Sequence, residues 1–571
     1  MNTKPQLLIK FFLLISILSS SALYAKEWKG QWTAQNGKTF TYHIKVKDGQ
    51  KASPVAFYLT HLKIKRIGTV ADQTILADLQ DRGFMTVELN CSVIAGTSPQ
   101  MENELADFAT EMPKLLLNTI EDNKLVEPRS IYYLPEGYNI AYDQPYWDRL
   151  KHGAFGTAER IVEVYNKYVV PKYKVPEAKT VEEIKGKKGQ PLDHSLRMDI
   201  IYPAGKLDSG VPLAVIFASQ AYRMKTYYDT PKRIEYPLGF LLSGYAWAIV
   251  DHDYVTVAKD QYYGFIKGKY SLDNWNGLAS SSAAIRYLRA NAAKYNLNDK
   301  IGAMGISKAS YAVTRLADTQ HDKLTELLRF EGFKKGSPQP QPYQGVSSNI
   351  SVGYTAAGDG TERVQYFTKN TVPLVSSAGK TDKFKKWDAF PKLLARYEEM
   401  DINYLGLWME DMGHSYPEGK DFATGQDRYL LLKRFFDSHL QPQKELQVLY
   451  ILPCNGNEQV MTNGHSLSIS QSVESPPDMR GLSMYSPITV RFATSLPVGV
   501  ALVKNMKIVN VKTQKAVEGE WKASLQNTRF EFTPKQDLQA KTEYTIIVMP
   551  GIRDKNGATL QKEVKSQFRT Q

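Results

Sequence analysis

The chain has 571 residues, 42% of them hydrophobic and 23% charged. That length predicts two or three compact units, and the composition excludes a wholly disordered chain. The formal charge of +13 favours anionic partners, but the basic residues are spread thinly, with modest clusters at Lys185–Lys188 and Lys383–Lys386, so a nucleic-acid binder is not expected.

In chain order, residues 1–25 read as a secretory signal peptide. Lys4 and Lys10 flank the apolar run Leu7 to Leu18, and the small residues Ser19 to Ala22, then Ala25, offer cleavage sites after Ala22 or Ala25. The run is short and interrupted by Lys10, which disfavours a membrane anchor. No cysteine near the cleavage site supports a lipid anchor. The mature chain is therefore expected to be secreted or periplasmic, with its formal charge reduced to +11 by loss of Lys4 and Lys10.

Residues 26–190 are predicted to form an N-terminal α/β extension. The runs Phe40–Val46, Val55–Thr60 and Phe84–Asn90 read as strands and Val70–Asp81 as a helix. The amphipathic stretches Glu102–Leu117 and Gly156–Tyr168 follow, then the lysine-rich linker Val175–Gly189. No chemical motif stands out in this region. Residues 191–441 alternate strands and helices, the pattern of a mostly parallel sheet covered by helices. Strands are predicted at Leu196–Tyr202, Leu213–Ala218, Ala246–Asp251, Ile301–Gly305, Val372–Ala378 and Tyr404–Met409. Leu213–Ala218 and Ala246–Asp251 are almost continuously apolar, as expected of strands buried on both faces. Helices are predicted at Ser280–Lys294, Lys308–Asp318 and Gln426–Leu440. Residues 442–475 read as a linker, and 476–571 as an all-β sandwich of short alternating segments.

That last region resembles the bacterial Ig-like domains of S-layer-type proteins. The resemblance is carried by Ser486-Pro487-Ile488-Thr489-Val490-Arg491-Phe492, Phe532-Thr533-Pro534, Leu538-Gln539-Ala540 and the stretch from Tyr544 to Asp554-Lys555-Asn556-Gly557. It implies a spacer or partner-docking module. Cys91 and Cys454 are the only cysteines, so the chain is no disulfide scaffold, and whether they pair is left open. The 34 tyrosines offer flat faces suited to sugars, although most are expected to pack in interfaces.

The chemistry concentrates in Lys300-Ile301-Gly302-Ala303-Met304-Gly305-Ile306-Ser307-Lys308-Ala309-Ser310. An apolar strand ends at Gly305, Ser307 follows, and a helix starts at Lys308. A serine exposed on so sharp a turn needs small residues two before and two after it, because side chains there would clash. Gly305 meets this, and Ala309 stands where the second glycine is usual. The helix N-terminus then aims N–H groups at a developing negative charge. Nine histidines are present, and only His414 follows a last strand and precedes a closing helix. Between serine and histidine, Asp382 ends the turn after the strand Val372–Ala378, with Glu331 as runner-up acid. Asp411 is too close in sequence to His414.

The order Ser307, Asp382, His414 resembles the α/β-hydrolase superfamily over about 250 residues. That implies a nucleophile, an acid and a base in those positions. It also implies an oxyanion hole made by the Lys308 N–H and an N–H near Gln220 or Ala221, although the family's His-Gly-Gly run is replaced here by Ser219-Gln220-Ala221-Tyr222-Arg223. The segment Gly244-Tyr245-Ala246-Trp247, the helix Ser280–Lys294 and the elbow resemble the esterase and dienelactone-hydrolase branch. Lys308 is similar to the arginine that glucuronoyl esterases carry after the nucleophile, a likeness one residue deep. Asp251-His252-Asp253 shows no complete ligand set, so neither metal nor other cofactor is expected.

The function expected is an exported ester hydrolase acting on a decorated plant polysaccharide or oligosaccharide, with pectic methyl ester as first substrate and acetyl or feruloyl ester close behind. Tyr222 and Arg223 are candidate substrate contacts. A prolyl-oligopeptidase-like peptidase would bring β-propeller repeats, which residues 26–190 lack. A non-catalytic surface-binding protein on a decayed hydrolase fold is the reading from another class.

Overall fold

A computed structural model of the chain describes residues 24–33, 37–47, 53–61, 72–93, 126–148, 170–174, 176–184, 195–217, 235–252, 272–307, 309–319, 342–343, 345–356, 367–383, 389–409, 411–414, 417, 419, 421, 426–441, 445–452, 458–462, 465–469, 488–497 and 504–570, with single positions between 152 and 166. Residues 1–23 of the expected signal segment, the amphipathic stretch Glu102–Leu117 and most of Gly156–Tyr168 lie outside the described residues, whereas Tyr24 and Ala25 already belong to the first strand.

The first sheet holds β1 (Tyr24–Thr33), β2 (Thr39–Lys47), β3 (Ser53–Thr60), β4 (Met85–Asn90) and β5 (Val126–Pro135), in the order β1-β2-β4-β3-β5. β3 runs parallel to both neighbours, with the helix Asp72–Asp81 crossing from β3 to β4.

The second sheet has eight strands: β6 (Tyr138–Asp148), β7 (Ser195–Pro203), β8 (Val211–Phe217), β9 (Ala246–Val250), β10 (Leu297–Ile306), β11 (Val352–Ala356), β12 (Leu374–Gly379) and β13 (Tyr404–Met409). Their order is β6-β7-β9-β8-β10-β11-β12-β13. β7 is antiparallel to both neighbours, and every pair from β9 to β13 is parallel. Alternation along β8 explains why its apolar run is unbroken. Leu213, Val215 and Phe217 enter a core with the helices Leu272–Ala290, Ala309–Leu316 and Ala389–Glu399. Ala214 and Ile216 enter the opposite core, with Phe240 and Leu241 of the helix Glu235–Leu242 and with Leu432, Phe435 and Phe436 of the helix Arg428–Leu440. A strand buried on both faces has no polar face to alternate.

Two expected boundaries move. The main sheet begins at β6, well before residue 191, because β5 and β6 are joined by the tight turn at Glu136 and Gly137 (φ +85°) and β6 pairs with β7. Tyr138, fully buried at this crossing, donates to the carbonyl of Leu241 or Tyr245, 2.8 and 2.9 Å away. Residues 442–475 are likewise not a plain linker. β14 (Val448–Leu452) is an apolar run that pairs antiparallel with β17 (Thr489–Phe492), and between them β15 (Glu458–Thr462) and β16 (His465–Ile469) form a hairpin. The sandwich continues with β18 (Met506–Asn510), β19 (Gly519–Ser524), β20 (Arg529–Pro534), β21 (Glu543–Val548) and β22 (Val564–Arg569). Its sheets β14-β17-β20-β19 and β18-β21-β22 enclose a core of Val448, Val490, Phe492, Ile508, Phe530 and Ile546.

The sandwich is joined to the main sheet by buried polar contacts. Arg491, 1% exposed, donates to Asn403 Oδ1 at 2.7 Å and to the Tyr404 carbonyl at 2.5 Å. Arg529 bonds Glu398 at 2.8 Å, and Tyr404 donates to the same carboxylate at 2.8 Å. Among the described residues, no helix is long and apolar enough to cross a membrane.

Candidate active site

The parallel strands β10, β12 and β13 end along one edge of the sheet, and Ser307, Asp382 and His414 each follow one of those ends. From Ile301 β10 runs apolar and buried to Ile306, then the chain turns at Ser307 and the helix starts at Ala309. Ser307 has φ 56°, in the left-handed region that a non-glycine residue enters only when its surroundings demand it. Its N–H donates to the Ala356 carbonyl at the end of neighbouring β11, 2.8 Å away, and its carbonyl accepts from the N–H of Ser310 at 3.2 Å and from the Ser310 hydroxyl. The requirement for small neighbours is visible in space. A Cβ on Gly305 would lie 2.4 Å from the Ala309 carbonyl oxygen, and Ala309 is itself fully buried.

Asp382 follows β12 through a turn in which its N–H donates to the Gly379 carbonyl at 3.3 Å. Its side chain is 1% exposed and lies 2.8 Å from Nδ1 of His414, which follows β13. A carboxylate only accepts, so the imidazole proton sits on Nδ1 and the basic lone pair on Nε2. Three strand spacings of about 4.8 Å separate β10 from β13. The turns that follow β12 and β13 are hydrogen-bonded to each other. The Thr381 N–H donates to the Met412 carbonyl at 3.0 Å and the Lys380 N–H to Met409 at 2.9 Å. The chains approach so closely that a Cβ on Gly379 would meet the Gly413 oxygen at 2.2 Å.

Of the other expected residues, Lys308, Gln220, Ala221, Tyr222 and Arg223 lie outside the described residues, as do Glu331 and Cys454. Cys91 carries a free buried thiol that burial pushes up to about 12, so it is chemically quiet. His439 is half-buried; its Nδ1 lies 2.7 Å from the Phe435 carbonyl and its Nε2 3.2 Å from the Asn403 amide, a packing role at its helix. His252 is buried against the Phe217 ring, with centroids 5.8 Å apart. Among the described residues, no group of three potential metal ligands occurs.

Sequence reasoning passed over one constellation, centred on Arg428. This arginine is 1% exposed, donates from Nε to the Trp408 carbonyl at 3.0 Å and pairs through Nη2 with Asp411 at 2.7 Å. Burial raises the Asp411 carboxyl, yet the hydrogen bond and charge of Arg428 bring it net below its ordinary range. A signal was present: an arginine directly after the helix N-cap Asp427 is an unfavourable place for a cation, where the helix dipole repels it.

Comparison with known proteins matches residues 444–570 to the family model of a bacterial Ig-like domain, so the C-terminal unit is such a domain and starts at 444. No curated protein matches the chain. Solved structures similar to part of it include a truncated carbohydrate esterase from gut microbiota, 15% identical over 45% of this chain and 93% of that one, TM-score 0.30. An esterase from the Planctomycetes species Thermogutta terrifontis is 14% identical over 39% and 80%, TM-score 0.29. A lipase/esterase from Lactobacillus plantarum is 11% identical over 43% and 93%, TM-score 0.30.

Proposed function

We propose that the chain is an exported serine carboxylesterase of the α/β-hydrolase type, acting on a decorated plant polysaccharide. The observation that carries this reading is Ser307 held at φ 56° between strand and helix, on the sheet edge where Asp382 and His414 are hydrogen-bonded. The sheet order agrees with it. Counting β6 as first, the serine follows the fifth strand, the acid the seventh and the base the eighth.

In this reading Ser307 Oγ attacks the ester carbonyl while His414 Nε2 takes its proton, and Asp382 holds the tautomer and balances the imidazolium. The alcohol leaves with that proton, and water, activated by the same imidazole, hydrolyses the acyl-enzyme. Backbone N–H groups of Lys308 and of Gln220 or Ala221 are assigned to the oxyanion, where one lost donor costs about a hundredfold or more in rate. Tyr222 and Arg223 are assigned to the sugar, Arg223 to a uronate carboxylate. No step calls for a cofactor.

A pectic methyl ester is the substrate we favour, because an exported basic protein with an appended Ig-like domain suits an acidic polymer. Cleavage of the leader after Ala22 would leave β1, which begins at Tyr24, whole, and mass spectrometry of the exported protein's N-terminus reads this directly. The decisive experiment has two stages. A fluorophosphonate probe should label Ser307, and absence of labelling in the native protein removes the esterase reading. Incubation with methylated, acetylated pectin should then release methanol; acetate release without methanol would move the reading to an acetyl esterase.

A further inference from the structure

We propose that Arg428 is a positioning residue for His414: its buried guanidinium joins the end of β13 and Asp411 to the start of the closing helix and so fixes the imidazole on Asp382. The inference rests on the reading of Ser307, Asp382 and His414 as a triad.

Among the described residues β13 is the last strand of its sheet, so its outward N–H and C=O groups meet no further strand there. At Trp408, one residue before β13 ends, side chains take that place. The Trp408 N–H donates to Asp421 Oδ1 at 2.9 Å, and the Trp408 carbonyl accepts from Arg428 Nε at 3.0 Å. Asp421 and Arg428 both come from the far limb of the loop that carries His414, and both are buried. The same arginine reaches two further points on that loop. Its Nη2 holds Asp411, three residues before His414, and its backbone N–H donates to the Gly419 carbonyl at 2.9 Å. Gly419 (φ +71°) passes so near that a Cβ there would lie 3.3 Å from Asp411 Oδ2 and 3.4 Å from Arg428 Nη1.

One residue thus fastens positions 408, 411 and 419, on either side of the base. The opposite side of the loop is fastened by Thr381 and Asp382. Burying a guanidinium is costly unless its donors are used in good geometry, and here they are used on the base's own loop. A planar fork satisfies a carbonyl and a carboxylate at once; a lysine ammonium, a point charge on a flexible stem, does not reproduce it.

The test uses the full-length protein and a small soluble ester. R428K should lower kcat about 10- to 100-fold with KM nearly unchanged, the loss expected from misplacing a catalytic group by about 1 Å. The far-downfield proton resonance of the His414 Nδ1–H in its bond to Asp382 should broaden or vanish, while circular dichroism stays native. D411N, at an exposed side chain, should show the same two effects in smaller measure. Wild-type kcat with an intact resonance in R428K overturns the proposal, as does the same result in D411N should R428K not fold. H414A separates the two readings. Activity retained in H414A removes the triad itself, whereas an inactive H414A beside a fully active R428K removes only the role of Arg428.

Discussion

The left-handed φ of Ser307 costs roughly 1 kcal/mol or more in any residue with a Cβ, and the Ala356 carbonyl on one side and Ser310 on the other hold it there. This strain makes a prediction that simple loss of a nucleophile does not. S307A and S307G should both lose activity, by up to about a millionfold in kcat. S307G should nevertheless be more stable than S307A, by about 0.5–1 kcal/mol in urea denaturation, because glycine enters this conformation freely. Equal stabilities would mean that the turn is relaxed in solution. In the proposed mechanism Asp382 acts through the hydrogen bond at 2.8 Å to Nδ1, so D382N, which can present an amide N–H there, should favour the wrong tautomer. Its kcat is expected to fall about 10³- to 10⁴-fold without loss of fold, measured on a small ester.

At the scale of elements, the candidate site depends on how closely the turns after β12 and β13 approach. Gly379 and Gly413 sit at that contact but differ in what they tolerate. A Cβ on Gly379 would press on backbone at 2.2 Å, and backbone cannot rotate away. A Cβ on Gly413 finds nothing nearer than Thr381 Oγ1 at 3.3 Å. G379A should therefore destabilise the protein by about 1–3 kcal/mol and depress kcat, while G413A stays near native in both. Thermal melts and esterase assays on the pair check the contrast. Equal behaviour would mean that the two turns are not fastened to each other.

For the whole molecule, the Ig-like domain is built into the main unit rather than hung from it. Arg491 spans the boundary to Asn403 and Tyr404, Arg529 reaches Glu398, and Leu525 is buried with the main core. A chain ending at residue 443 would leave these acceptors without their donors, each costing about 1–3 kcal/mol when still buried. Such a chain is expected to lose cooperative unfolding, and native melting and activity in it would restore the spacer reading. The boundary should also respond to acid. Burial lowers the His439 imidazole to about 4, with Arg491 pushing it down and the Phe435 carbonyl and Asp554 opposing. The unfolded chain, with the ordinary value near 6.5, then binds more protons between those limits, so stability is complete above about pH 6.5 and declines as pH falls toward 4, by on the order of 3 kcal/mol. H439Q should flatten that part of the stability curve.

Local pattern by itself determined the unbroken apolar runs of β8 and β9 and the strand–serine–helix turn at 307, and it set Ser307, Asp382 and His414 in that order along the chain, because each is a statement about neighbours in sequence. It missed β11, whose five residues include Gly353, kept as glycine because a Cβ would strike Leu374 at 2.7 Å. The helices Glu235–Leu242 and Ala389–Glu399 escaped as well. Each has a proline at its third residue, which reads as a breaker but costs little in a first turn, where the N–H has no intrahelical partner. Only the tertiary structure decided where the units begin, since pairing of β6 with β7 and of β14 with β17 joins segments distant in sequence. It likewise decided that Asp382 reaches His414 across two turns, and that Arg428, marked in the sequence only as a cation beside a helix N-cap, lies buried beside the segment that carries His414. Those facts depend on which chain segments meet in space, and no local period or motif encodes that.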